Sequence, residues 1–102
     1  MEKLIKDGAV AVLISPGFGA GWSTWNKEHE EGLLFDRDIA EAVLAGNNDE
    51  AERIAEEKYP GAYLGGAAGL EVVWIEQGTT FTVEEYDGSE SIRTIADLSH
   101  TA

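Results

Sequence analysis

"FDRDIAEAVLAGNNDEAERIAEEKYP", residues 35 to 60, decides the fold class: two helical patterns stand back to back in a chain whose other apolar runs read as strands. Asp36 is placed to cap the first helix, and Asp38 favours its N-terminal end. Ile39, Ala40, Val43 and Leu44 fall on one face, and Gly46 stops the run. Asn47 with Glu50 resembles a capping box for the second helix. There Ala51, Ile54, Ala55 and Lys58 share a stripe, and the Pro60 ring ends the run after Tyr59. Two short helices joined this tightly are expected to pack antiparallel.

Upstream, "GAVAVLI" (8 to 14) ends at Ser15-Pro16 and reads as a buried strand, while residues 16 to 35 show no clean period. Within them "NKEHEEG" allows one helical turn without an apolar face. Downstream, "PGAYLGGAAG" (60 to 69) is a loop, and "LEVVWIE" (70 to 76) and "TTFTVEEY" (79 to 86) read as strands joined by a two-residue hairpin at Gln77-Gly78. Asp87-Gly88 makes a second turn into "IRTIADL", and the final "SHTA" reads as a frayed end. The order β-α-α-β-β-β predicts one α+β domain over residues 1 to 102, a small antiparallel-rich sheet with a helix hairpin packed on one face. Strand and helix parity would gather the loops at 16 to 35, 60 to 69 and 86 to 90 at one end of the sheet. Gly46 and Gln77-Gly78 would lie at the other.

Composition restricts the partners. Twenty Asp and Glu stand against seven Lys and Arg in 102 residues, a formal charge of -13. Direct binding to nucleic acid is disfavoured, because Lys and Arg drive it, and an anionic membrane surface is disfavoured likewise. The acidity suits a basic protein surface, or imitation of nucleic acid toward a protein that normally grips it; it also serves plain solubility. The absence of cysteine rules out disulfides and thiolate chemistry and suits a cytoplasmic location. No stretch reaches the roughly 18 apolar residues of a membrane span. The apolar run near the N-terminus follows Asp7-Gly8 and leads to no cleavage pattern, so it reads as a strand and not a signal peptide.

Two candidate sites emerge. In "SPGFGAGWSTWN" (15 to 26) three glycines follow a strand as in a phosphate-binding loop, yet neither the dinucleotide spacing nor a Lys-Ser or Lys-Thr pair is present. Gly17, Gly19, Trp22, Ser23 and Trp25, joined by Tyr86 and Asp87, form a candidate small-ligand or nucleotide site. Alternatively, the aromatic residues close the end of the core. Gly19, Ala20 and Gly21 leave Trp22 without a bulky neighbour, so Trp22 is expected to be the more exposed indole and Trp25 the more buried. The second candidate is a broad acidic helix face of Asp38, Glu41, Asp49, Glu52 and Glu56, interrupted by Arg37, Arg53 and Lys58, with Arg53 placed to pair with Asp49.

Catalytic patterns are weak. Tyr86, Asp87, Ser89 and Glu90 crowd one turn that reads as solvated, so they offer no carboxylate pair with separated acidities. His29 and His100 lie in polar segments, no G-x-S-x-G elbow accompanies Ser15 or Ser23, and no spacing suits a metal. A non-catalytic protein without cofactor or metal is the expectation.

The segments "AVAVLISPGFGAGWSTWN" (9 to 26) and "GTTFTVEEYDGSESI" (78 to 92) resemble a small uncharacterised family of phage and prophage proteins. The resemblance covers about a third of the chain and carries no catalytic residue. It implies a phage-type accessory protein, and short acidic phage proteins often inhibit host enzymes or defence systems. The expected function is therefore a cytoplasmic inhibitor whose acidic helix face occupies the basic surface of a host nucleic-acid-handling or defence protein.

Overall fold

A computed structural model describes residues 2 to 94 and 100 to 102. Strands β1 (Ile5–Lys6), β2 (Ala9–Ile14) and β3 (Glu71–Glu76) form one antiparallel sheet in the order β1-β2-β3. A second antiparallel sheet has the order β5-β4-β6, from β4 (Thr80–Tyr86), β5 (Ser89–Thr94) and β6 (His100–Thr101). Helices α1 (Glu30–Phe35), α2 (Arg37–Leu44) and α3 (Asn48–Lys58) lie between β2 and β3 in the chain. The class is α+β, with the strands divided between two sheets.

The burial of β2 shows how the layers stack. Ala11 and Leu13 point into a cluster with Trp22, Leu33, Ile39, Ala40, Ala51 and Ala55, the helix side. Val10, Val12 and Ile14 point the other way, toward Leu34, Phe35, Ile75, Phe81 and the partly buried Val83 and Ile92. The first sheet is thus covered by the helices on one face and by the second sheet on the other. An unbroken apolar run such as "AVAVLI", in place of polar alternation, follows from having both faces buried.

The helix signals act as the sequence predicts. The Asp36 carboxylate accepts hydrogen bonds from the Asp38 and Ile39 amides at 2.9 and 3.2 Å. The Asn47 side chain accepts one from the Glu50 amide at 3.1 Å, while the Glu50 carboxylate turns to Arg53 instead of closing the box. Leu44 is exposed and Ala42 takes the buried place, because α3 packs on the Ala42 side of α2 and shifts the covered arc away from Leu44. A further helix, α1, arises from the aperiodic segment. Its "GLLF" is buried all round, touching both clusters, so it shows no helical stripe.

Several connections differ from the expectation. Gln77-Gly78 is no hairpin: the Gln77 amide donates to the Gly8 carbonyl and the Gly78 amide to the Ala102 carbonyl, and the chain passes there from one sheet to the other. The hairpins are β1–β2, turning at Asp7-Gly8 (φ +52° and +79°), and β4–β5, turning at Asp87-Gly88 (φ +50° and +84°). Both have the double positive φ that Asp-Gly tolerates. Within the final "SHTA", Ser99 lies outside the described residues, and the residues after it are not frayed. Thr101 pairs with Thr80, and Ala102 is buried with its amide on the Thr79 carbonyl. Expected strand residues 95 to 98 lie outside the described residues.

The three loops do meet at one end. The Gly19 amide donates to the Asp87 carbonyl (2.7 Å) and the Ser89 hydroxyl to the Pro16 carbonyl (2.6 Å), while Gly66 packs on the carbonyls of Ala20 and Gly21. Gly46 is not opposite them. The end of α2 and start of α3 lie beside the 60 to 69 loop, because the Asn48 amide group reaches the carbonyls of Ala67, Ala68 and Leu70.

Candidate functional site

The glycine-rich loop does cradle an anion, and the anion belongs to the chain. Glu90 lies on β5 with its side chain directed under the loop, where it is 1% exposed. Its Oε1 accepts the Ser15 amide at 2.9 Å. Its Oε2 accepts the Trp22 amide at 2.6 Å, the Thr24 amide at 3.1 Å and the Thr24 hydroxyl at 2.6 Å. Four donors stand in for the water a carboxylate loses on burial. The Glu90 amide also donates to the Ser15 carbonyl at 2.8 Å, tying β5 to the end of β2. Glu90 is therefore no part of a solvated turn.

This nest decides where the indoles go. With its amide held by Glu90, Trp22 turns inward, fully buried, and its indole N–H donates to the Leu33 carbonyl at 2.8 Å. Trp25 is 42% exposed and rests on Tyr63, ring centroids 5.5 Å apart. The expected assignment is reversed. Small neighbours do not expose a side chain when the backbone aims it at a core. Asn26 fixes the far side of the loop, donating to the carbonyls of Trp22 and Tyr63 (2.8 Å each) and accepting the Tyr63 amide (2.6 Å).

Of the candidate ligand residues, Trp22 and Ser23 are thus closed off in the interior, the Gly19 amide is spent on Asp87, and Gly17, Trp25, Tyr86 and Asp87 remain at the surface. Phe18 and Tyr86 are 77% and 74% exposed. They line a groove of about 390 Å³ with Glu84, Glu85, Ser89 and Ser91. In the β4–β5 register Tyr86 faces Ser89 and Glu84 faces Ser91, so these four share the outward face of the hairpin, opposite to Glu90.

The helix pair splits the expected acidic face into two rows. Asp38 and Glu41 line an open groove of about 760 Å³ between α2 and α3, together with Glu50, Arg53, Glu57 and Lys58. Its cations are paired. Arg53 bonds Glu50 and, at 2.8 Å, Glu57, rather than Asp49; Arg37 bonds Glu2 (2.9 Å) and Glu41 (3.4 Å); and Lys58 bonds Asp38 (2.7 Å) and the buried Asp36 (3.2 Å). Lys58 holds the Asp38 carboxyl below the usual carboxylate range, chiefly through that hydrogen bond, and its own ammonium is correspondingly raised. Asp49, Glu52 and Glu56 lie outside that groove, Glu56 bordering Arg53 and Glu57 on its outer side. At 3.6 residues per turn they fall within about 60° of arc and about 10 Å of axis on the exposed side of α3. Among the described residues no Lys, Arg or His forms an ion pair with any of them.

Asp36 anchors the inner end of the pair and also accepts the Tyr59 hydroxyl at 2.7 Å. Burial, with this bond second, raises the Tyr59 phenol above its usual range. The ring lies against Gly32 and 5.6 Å from His29, so the cluster is a junction of α1, α2 and α3. Of the candidate bases, His29 thus packs on a ring, and the His100 side chain lies outside the described residues. Among the described residues, no group of three or more His, Asp or Glu is placed to hold a metal, and no helix is long and apolar enough to cross a membrane.

Comparison with family models, curated proteins and solved structures gives no match. What the fold and surface define is a small acidic α+β protein with an internally filled anion nest and an unneutralised carboxylate stripe on one helix.

Proposed function

We propose that this chain is a non-catalytic binding protein that occupies a basic surface on another protein through the outer stripe of α3, Asp49, Glu52 and Glu56. One observation carries the reading: Arg37, Arg53 and Lys58 on the helix pair are engaged by other carboxylates, which leaves this stripe uncompensated in a chain of net charge -13. Complementary charge accelerates encounter with a basic partner and sets its orientation. The phage-type resemblance directs the search to a bacterial host, and the acidity to a nucleic-acid-handling or defence protein whose basic groove the stripe fills in place of phosphates.

The test is charge reversal. Glu52→Lys combined with Glu56→Lys removes the stripe without touching a buried residue, so the fold should lose no more than about 0.5 kcal/mol per site. Capture of a discrete basic protein from bacterial lysate by the parent, and its loss in the folded variant, is the expected result. Equal capture by both removes the stripe from the function.

A further inference from the structure

The groove between Phe18 and Tyr86 has a geometry that solubility does not require. Phe18 is no loose loop residue. The Pro16 carbonyl and the Gly19 amide, on either side of it, are bonded to Ser89 and Asp87, and Gly88 packs so closely on Ala20 that a Cβ there would collide with its amide. A phenyl ring is thereby held out in water, beside an equally exposed phenol, on a turn locked to a hairpin. Pre-placed exposed rings lower the ordering cost of binding and are typical anchors of interfaces. Two glutamates border the groove, Glu84 on the face of Tyr86 and Glu85 from the opposite face, where it pairs with Glu90. Glu85 spends Oε2 on the Gly88 amide, and Glu84 is shared with Arg93 at 3.1 Å in a solvated pair.

Aromatic faces beside carboxylates select a flat cation, which stacks on the rings while its N–H groups reach the oxygens. We infer that the Phe18–Tyr86 groove takes one arginine side chain of a protein partner, the guanidinium lying against the two rings with Glu84, on the same face as Tyr86, as its acceptor. This deepens the proposed function, since it rests on a basic partner and supplies a specific contact on a surface apart from the α3 stripe. Arginine is preferred to lysine because the ammonium is compact and strongly hydrated and cannot stack.

The experiment uses a probe in place of the unknown partner, so its outcome does not depend on whether any partner is captured. Isotope-labelled protein is titrated with N-acetyl-arginine amide, N-acetyl-lysine amide and N-acetyl-norleucine amide, and amide and aromatic-ring resonances are followed. The arginine probe should give saturable shifts at Phe18, Tyr86, Ser89 and Ser91, half-complete at on the order of 10 mM. The lysine probe should bind several-fold more weakly, and norleucine should show no saturation. Phe18→Ala and Tyr86→Ser remove exposed rings from a folded chain, and each should weaken the arginine response about two- to fivefold. Equal response to lysine, an unchanged response in both variants, or arginine shifts centred on Asp49, Glu52 and Glu56 would overturn the assignment. So would the absence of saturation. Arginine binding here alongside failed partner capture would sink the α3 reading alone.

Discussion

Replacing Glu90 by glutamine changes one oxygen to an amide group and nothing in the volume of the side chain. The carboxylate accepts the Ser15 amide on one oxygen and the Trp22 amide, Thr24 amide and Thr24 hydroxyl on the other. Glutamine has one acceptor oxygen, which serves the three-donor side best; its NH2 then faces the Ser15 amide, donor against donor. Leaving one buried amide unpaired costs about 1–3 kcal/mol. The three remaining bonds lose their charge assistance, which is worth roughly half their strength. Relief of the buried charge offsets part of this, and the net expectation is a loss of about 2–4 kcal/mol. For a domain of this size that lowers the unfolding midpoint by roughly 10–25 °C. Urea and thermal unfolding followed by indole fluorescence read it directly, since Trp22 is bonded within the nest. A Glu90→Gln protein as stable as the parent would show that desolvating the carboxylate costs as much as its four bonds return, and the account of the loop would fall.

Two further outcomes follow from the same contacts. Trp22→Ala, which empties a fully buried site and strands the Leu33 carbonyl, should cost about 3–5 kcal/mol, and Trp25→Ala under about 1.5 kcal/mol; a larger loss for Trp25 in denaturant melts would reverse the burial assignment. The raised Tyr59 phenol contributes stability that is complete below its unfolded value near 10 and lost as pH rises through its higher folded value. The advantage of the parent over Tyr59→Phe in melting temperature should therefore shrink progressively above about pH 10, and a constant difference to about pH 11.5 would contradict the Asp36 contact.

The helix pair was legible because its signals are local: Asp36 and Asn47 cap within three residues, and Ala51 and Ala55 repeat at one turn. The Asp87-Gly88 turn was legible for the same reason, and Asp7-Gly8 carries the same signal between two shorter runs. Partners distant in sequence were not. "DGSES" looks the same whether Glu90 faces water or the amides of Ser15, Trp22 and Thr24, which lie 66 to 75 residues away. Strand β3 is followed by β4 after three residues, as in a hairpin, yet it pairs with β2, and only the apolar character of both β2 faces hints at a second covering sheet. Exposure of the five acidic residues was legible from helical spacing. Their division into two rows was not, because it depends on how α3 packs against α2 and which residues the groove between them takes in.

The most direct test of the binding claim is the salt dependence of affinity for the captured partner, measured with the parent and with the Glu52→Lys, Glu56→Lys variant. The stripe predicts that parent affinity falls steeply as salt rises from about 0.05 M to about 0.5 M, where charges on the surface are largely screened. It also predicts that the variant binds at least tenfold more weakly at low salt, the two affinities converging at high salt. Parallel curves of equal affinity, or parent binding indifferent to salt, would contradict the role assigned to Asp49, Glu52 and Glu56.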